Sequence, residues 1–280
     1  MLLEVSLPAD KASRWVSMID EILKLGTVTR DQLESLIGRL SFPQTSIFGR
    51  FGRPMLSPLY GLLNSPSFRP LLSTRATRAL QWWKVALSPL DSSVARHRSD
   101  HPDFVVFTDA ATSSAIIDAV IIDRATFVAS QTINEVRTAV AGKYWELLFD
   151  QTCLIYGLEM LAILAILYEA GGQLAGKNAT FHIDNQNALQ AIIKNNATPT
   201  VIVAMTQLIL HRLCSLKITP WFEWVPSTKN IADVPTRHVA ISFNIATQSQ
   251  FTKLRPLREE INRARQALET GIPVLVPNMI

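Results

Sequence analysis

The 280-residue chain has only 11 glycines and 2 cysteines, and 18 % of its residues are charged. So little glycine and cysteine excludes a collagen-like chain or a disulfide-built scaffold. Cys153 and Cys214 lie in apolar helical patterns without CxxC spacing, which fits reduced core thiols better than a bridge or zinc site. Long hydrophobic runs are missing too. The best, Leu154 to Tyr168, carries Glu159 near its middle and is shorter than the roughly 20 apolar residues a membrane span needs. No basic-then-apolar leader opens the sequence, so an intracellular protein is expected, with nucleus and cytoplasm undecided and no membrane partner. What the chain does have is apolar residues, at 48 %, enough to offset the ordering entropy that keeps polar chains disordered.

Charge is unevenly placed. From Ser35 to Arg98 nine basic residues face one acid, Asp91; this local +8 within a net +4 leaves −4 for the remainder. A basic segment beside an acidic one suits a polyanion-gripping part joined to a part that holds cations, although a solvated arginine-rich surface gives the same count.

Periodicity divides the chain in three. Residues 1–98 read as short helices broken by prolines: Lys11 to Leu25, Thr29 to Leu40 behind a Thr29-x-x-Gln32 capping box, Met55 to Leu63, and Ser73 to Leu87 with Trp82 and Trp83 on a buried face. Residues 99–245 change texture. Strands are expected at Phe104 to Thr108, Ala115 to Ile122, Thr126 to Gln131, Ala179 to Ile183 and Trp221 to Val225, with helices at Tyr144 to Glu169, Asn187 to Lys194 and Pro199 to Leu216. Three strands, a helix, a strand, helices and a strand describe an α/β domain with a mixed five-stranded sheet. Residues 246–280 read as a charged helix, Pro256 to Glu269, and an apolar tail. Trp221 and Trp224 are expected to pack beside the last strand, and His182 and His211 match no metal pair.

Four acids stand out by position. Asp109 and Asp184 close strands, where open α/β sheets place ligands. Glu159 falls among Leu158, Leu161, Ala162, Leu164 and Ala165, where a carboxylate is unfavourable unless a cation or hydrogen-bond donor meets it. Asp233 follows the fifth strand. Singly, an aspartate at a strand end is often just a turn or cap residue. Together the four make an oxygen-ligand set suited to Mg²⁺ or Mn²⁺, and two such ions promote phosphodiester hydrolysis.

The segments Val105-Val-Phe-Thr-Asp109-Ala, Leu158-Glu159-Met-Leu-Ala-Ile-Leu, Phe181-His-Ile-Asp184-Asn185-Gln-Asn-Ala and Val225-Pro-Ser-Thr-Lys-Asn-Ile-Ala-Asp233-Val-Pro-Thr-Arg237 resemble, in order, the four motifs of the ribonuclease H domain of retroelement reverse transcriptases. Leu3-Glu-Val-Ser-Leu-Pro and Gln32-Leu-Glu-Ser-Leu-Ile-Gly-Arg39-Leu-Ser-Phe resemble the thumb segment that precedes it. The phrasing is most similar to the DIRS-like (tyrosine-recombinase) retrotransposons, and the resemblance covers about residues 1–65 and 104–240. It implies an RNase H-like fold and a hydrolase that cuts the RNA strand of RNA–DNA hybrids endonucleolytically, leaving a 3′-hydroxyl and a 5′-phosphate. It further implies Asp109, Glu159, Asp184 and Asp233 as catalytic ligands of two Mg²⁺ ions, with Mn²⁺ able to substitute. Asn185 and Arg237 would meet the substrate backbone, and Arg39, Arg50 and Arg53 would grip phosphates without reading sequence.

The chain also departs from that pattern. It contains no Asp-Asp pair, so a polymerase palm would have to come from a separate chain. The turn after Asp109 reads Ala-Ala-Thr-Ser-Ser where relatives often carry glycines, extra residues lie around Asn134 to Tyr144, and no histidine occurs from Leu213 to Ala232. Two other readings remain: a catalytically inactive RNase H-like module that binds nucleic acid or a partner protein, and an integrase-type transferase, whose acidic set typically ends on a helical Glu.

Overall fold

A computed structural model describes residues 7–46, 52–87, 101–112, 116–135, 154–194, 199–233 and 245–270. The chain divides into two compact units, Met1–His97 with Gln266–Ile280, and Arg98–Arg265.

The first unit is helical, as its periodicity predicts. Helix α1 (Ala9–Leu25) ends at Gly26, whose φ of 68° is the left-handed conformation glycine adopts without strain. Helix α2 (Arg30–Ser46) opens on the expected capping box: the Thr29 N–H donates to Gln32 Oε1 at 3.0 Å, and the Gln32 N–H donates to Thr29 Oγ1 at 3.2 Å. Helices α3 (Arg53–Leu63) and α4 (Thr74–Leu87) complete the unit. Ile19, Leu33, Leu36, Leu40, Leu59, Leu80 and Trp83 are fully buried between them. The Trp83 indole N–H donates to the Met55 carbonyl, and the ring lies so close to Gly52 that a Cβ there would stand 2.6 Å from it. Lys84 and Asp20 pair at 2.6 Å between α4 and α1.

The second unit is an α/β domain around a mixed sheet. Strands β1 (Phe104–Ala111), β2 (Ile116–Asp123) and β3 (Val128–Glu135) form an antiparallel meander, and β4 (Asn178–Ile183) and β5 (Thr219–Trp224) run parallel to β1 on its other side. The Asp123 carboxylate shapes the β2–β3 turn by accepting the N–H groups of Ala125 and Thr126. These are the five expected strands, in the order β3-β2-β1-β4-β5 of an RNase H-like sheet. A sixth, β6 (Ile245–Ser249), pairs parallel to β3 at the open edge, where the sequence suggested only a C-terminal helix and tail.

Helix α5 (Leu154–Glu169) packs on β1 and β2 and also against α8 (Thr200–Ser215), so Gly157 through Leu167 are all buried. That double packing explains why its sequence is apolar all round rather than striped. A single turn, α6 (Gly171–Leu174), follows where a glycine stop was expected. Helix α7 (Gln186–Lys194) comes next after β4, and α9 (Leu254–Thr270) closes the described chain. The Glu169 carboxylate accepts from the backbone N–H and hydroxyl of Thr252, just ahead of α9. No described helix is long and apolar enough to cross a membrane. The tryptophans divide: Trp82 and Trp83 are buried as expected, whereas Trp221 and Trp224 are 45 % and 46 % exposed. They sit on β5, an edge strand whose alternate faces receive less cover than those of β1 and β4.

Candidate metal centre

Register brings the first two acids together. Strands β1 and β4 run parallel with Thr108 opposite Ile183, so Asp109 and Asp184 are the next residue along each. Asp184 follows the last residue of β4, as expected. Asp109 lies two residues short of its strand's end, because the antiparallel ladder with β2 continues to Ala111 after the pairing with β4 stops. Helix α5 supplies Glu159 from the core. One carboxylate oxygen from each of Asp109, Glu159 and Asp184 lies within 4.8 Å of the others.

Burial sets the electrostatics of this triad. Asp109 and Glu159 are each 3 % exposed, and Asp184 is half-buried. Desolvation pushes the Glu159 carboxyl well above the usual carboxylate range, and the charges of Asp109, Asp184 and Asp233 push it further; the Ala110 backbone N–H acts the other way. Glu159 Oε2 and Asp184 Oδ1 are buried oxygens with no hydrogen-bond partner in the fold. Buried carboxylate oxygens without donors are unfavourable unless a cation meets them, so the donor set fits a hard divalent ion.

Asp233 is placed by its own loop. After β5, the Ser227–Lys229 turn leads to Asn230, which is 2 % exposed. The Asn230 side-chain N–H donates to the Thr108 carbonyl at 2.9 Å, its Oδ1 accepts the Ala232 N–H, and its backbone carbonyl accepts the Asp233 N–H. Ile231 and Ala232 pack onto Phe107, Ile122, Val120 and Ala129 of the sheet. The loop is thereby tied to β1 one residue before Asp109, which leaves Asp233 close enough to act electrostatically on Glu159.

The remaining expected contacts are placed less directly. Asn185 is half-buried and its Oδ1 accepts the Ala188 N–H, capping α7. Arg39 is exposed and donates to the Met18 sulfur, and Arg53 is exposed in the first turn of α3; both belong to the helical unit. Arg50, Arg237 and Cys153 lie outside the described residues. Cys214 is a free thiol that burial pushes up to about 11. His182 stacks on Phe107 at 4.7 Å, and burial lowers the pKa of both His182 and His211.

Sequence reasoning passed over Asp118. It stands directly opposite Asp109 in the β1–β2 ladder and is fully buried. Its Oδ2 accepts the Gln131 side-chain N–H at 2.7 Å, and its Oδ1 has no hydrogen-bond partner. Desolvation raises its pKa to about 7; the hydrogen bonds from Gln131 and the Ala119 N–H oppose that rise, and the Asp109 charge adds to it. The signal was present: Asp118 is the lone acid inside Ile116 to Ile122, as conspicuous there as Glu159 is in its helix. Trp224 is a second addition, its indole N–H donating to the Asp184 carbonyl at 3.0 Å. The chain matches no protein-family model and no curated protein.

Proposed function

We propose that the chain is the C-terminal part of a retroelement reverse transcriptase, a helical thumb-like region followed by a ribonuclease H that hydrolyses the RNA strand of RNA–DNA hybrids. The observation that carries this reading is the convergence of Asp109, Glu159 and Asp184 within 4.8 Å, with orphaned oxygens on Glu159 and Asp184, at one end of the central strands. The four sequence motifs support the same assignment in the same order.

Two divalent cations, Mg²⁺ with Mn²⁺ as substitute, would supply Lewis-acid stabilisation of the scissile phosphate and an activated water. The protein's part is to hold and orient. Asp109 and Glu159 would hold the ions from the core side, on a strand and a helix, and Asp184 and Asp233 would hold them from the ends of β4 and β5. Low exposure around Glu159 strengthens every charge interaction there. Asn185, next to Asp184, offers a short polar side chain where a minor groove would lie, the feature by which 2′-hydroxyls are sensed. The basic helical unit contributes sequence-independent phosphate contacts.

The test is cleavage of a labelled RNA–DNA hybrid against matched double-stranded RNA and DNA, with Mg²⁺, Mn²⁺ or EDTA. Hybrid-selective, metal-dependent cutting that Asp109→Asn and Asp184→Asn abolish supports the assignment. Metal-independent binding without cutting, in a folded protein, would instead make this an inactive nucleic-acid-binding module.

A further inference from the structure

The Asp109 carboxylate has an acidic neighbour that none of the four motifs contains. Asp109 and Asp118 are cross-strand partners in an antiparallel ladder, so their side chains leave the sheet on the same face. Like charges directly opposite one another weaken a strand pair. The surrounding residues of β2, Ile117, Ala119 and Val120, are buried and apolar, so an apolar side chain would be the ordinary occupant of position 118. Instead the position holds a carboxylate. What faces it is the Gln131 amide, the Ala119 N–H and the Asp109 carboxylate. Gln131 is itself only 1 % exposed, so a second buried polar residue is committed to holding Asp118 in place. The remaining Asp118 oxygen is left without a partner.

We propose that Asp118 is an outer carboxylate of the cation site, a buried acid oriented by Gln131 that strengthens divalent-cation binding without ligating the ion. This rests on the reading of Asp109, Glu159 and Asp184 as cation ligands. Asp118 is not one of the carboxylates whose oxygens converge within 4.8 Å, so it acts electrostatically from its place opposite Asp109 rather than by coordination. It stands just outside the ligand set, where the loss of a supporting group typically lowers metal affinity by about 10- to 100-fold. Asp118 is thus a positioning residue, and Gln131 serves it.

Calorimetric titration of the full chain with Mn²⁺ alone separates the possibilities. Asp118→Asn keeps the shape and can still accept from Gln131; Asp118→Val replaces the carboxylate with a residue typical of the strand. Folded by circular dichroism, both should bind Mn²⁺ at least about 10-fold more weakly than the wild type. In chelator Asp118→Asn, which still accepts from Gln131, should melt at or above the wild-type temperature, and in both variants the Mn²⁺-induced rise in melting temperature should be smaller. Wild-type affinity in either folded variant overturns the proposal, and so does loss of the fold in both, which would make Asp118 purely structural. Asp109→Asn reports on the underlying reading. If it abolishes Mn²⁺ binding while the Asp118 variants bind normally, the ligand set stands and the proposal alone fails. If wild type and Asp109→Asn respond alike to Mn²⁺, the ligand set fails and the proposal with it.

Discussion

The side chain of Asn230 donates to the carbonyl of Thr108 at 2.9 Å, which fastens the loop of Asp233 to the strand of Asp109 one residue before that carboxylate. The amide ties together two acids 124 positions apart in the chain, although of the two only Asp109 is among the carboxylates that converge within 4.8 Å. Replacing Asn230 with alanine leaves the buried Thr108 carbonyl without this donor and frees the Ala232 N–H. The expected loss is about 2–3 kcal/mol in urea unfolding, with a fall in hybrid cleavage greater than the fall in folded fraction.

The buried acids make the metal-free domain sensitive to pH. Folded-state pKa values of Asp118 and Glu159 lie above their unfolded values, so the native state binds more protons than the unfolded state between the two. Stability then falls as pH rises. For Asp118 the window runs from about 4 to about 7. In chelator, the melting temperature should drop from pH 5 to pH 8, and saturating Mn²⁺ should remove most of that drop. A melting temperature that rises over this interval in chelator would contradict the assignment.

Glu159→Gln sharpens the same point. The amide removes a charge that burial and three neighbouring carboxylates oppose, and it retains the volume. The variant should melt at or above the wild-type temperature at pH 8 without metal, yet lose the Mn²⁺-dependent increment and hybrid cleavage. Paired thermal scans with and without Mn²⁺ check it.

Much of this architecture was legible from the residues, and the exceptions have physical causes. Glu159 was conspicuous because an isolated carboxylate in an apolar helix contradicts its own environment. Asp118 does the same in a strand, yet strands carry no motif there to draw attention to it. Strand β6 escaped because Ile245–Ser249 is short and alternates weakly, and its pairing is supplied by β3, more than a hundred residues earlier. Trp221 and Trp224 read as packing residues because bulky aromatics favour strands. Periodicity does not reveal that a strand lies at an edge, and so these rings stay half exposed.

In the helical unit Gly52 lies close against Trp83. A methyl group at 52 would sit 2.6 and 2.8 Å from the indole ring, which is fully buried and anchored by its N–H to Met55. The backbone at Gly52, φ −73°, is open to any residue, so the penalty is steric alone. Gly52→Ala should destabilise by about 1–3 kcal/mol, and Trp83→Phe combined with it should recover part of the loss. Denaturant melts followed by tryptophan fluorescence would show both.

Phosphate contacts predict a salt signature. If Arg39 and Arg53 each neutralise one phosphate, their joint replacement by alanine should lower the slope of log affinity against log salt by about 0.9 per contact, equally for hybrids of unrelated sequence. An unchanged slope would remove these two side chains from the binding surface.

Helix α5 is enclosed along the whole stretch from Gly157 to Leu167, with sheet on one side and helix on another. A rod without a wet side has no room to roll or slide, so Glu159 is cast into the domain's interior like a fixed jaw. Asp184 and Asp233 are held differently, through hydrogen bonds from the Trp224 indole to the Asp184 carbonyl and from Asn230 to β1. Substitutions at Trp224 or Asn230 therefore shift Asp184 or Asp233 while Glu159 stays where the enclosed helix puts it.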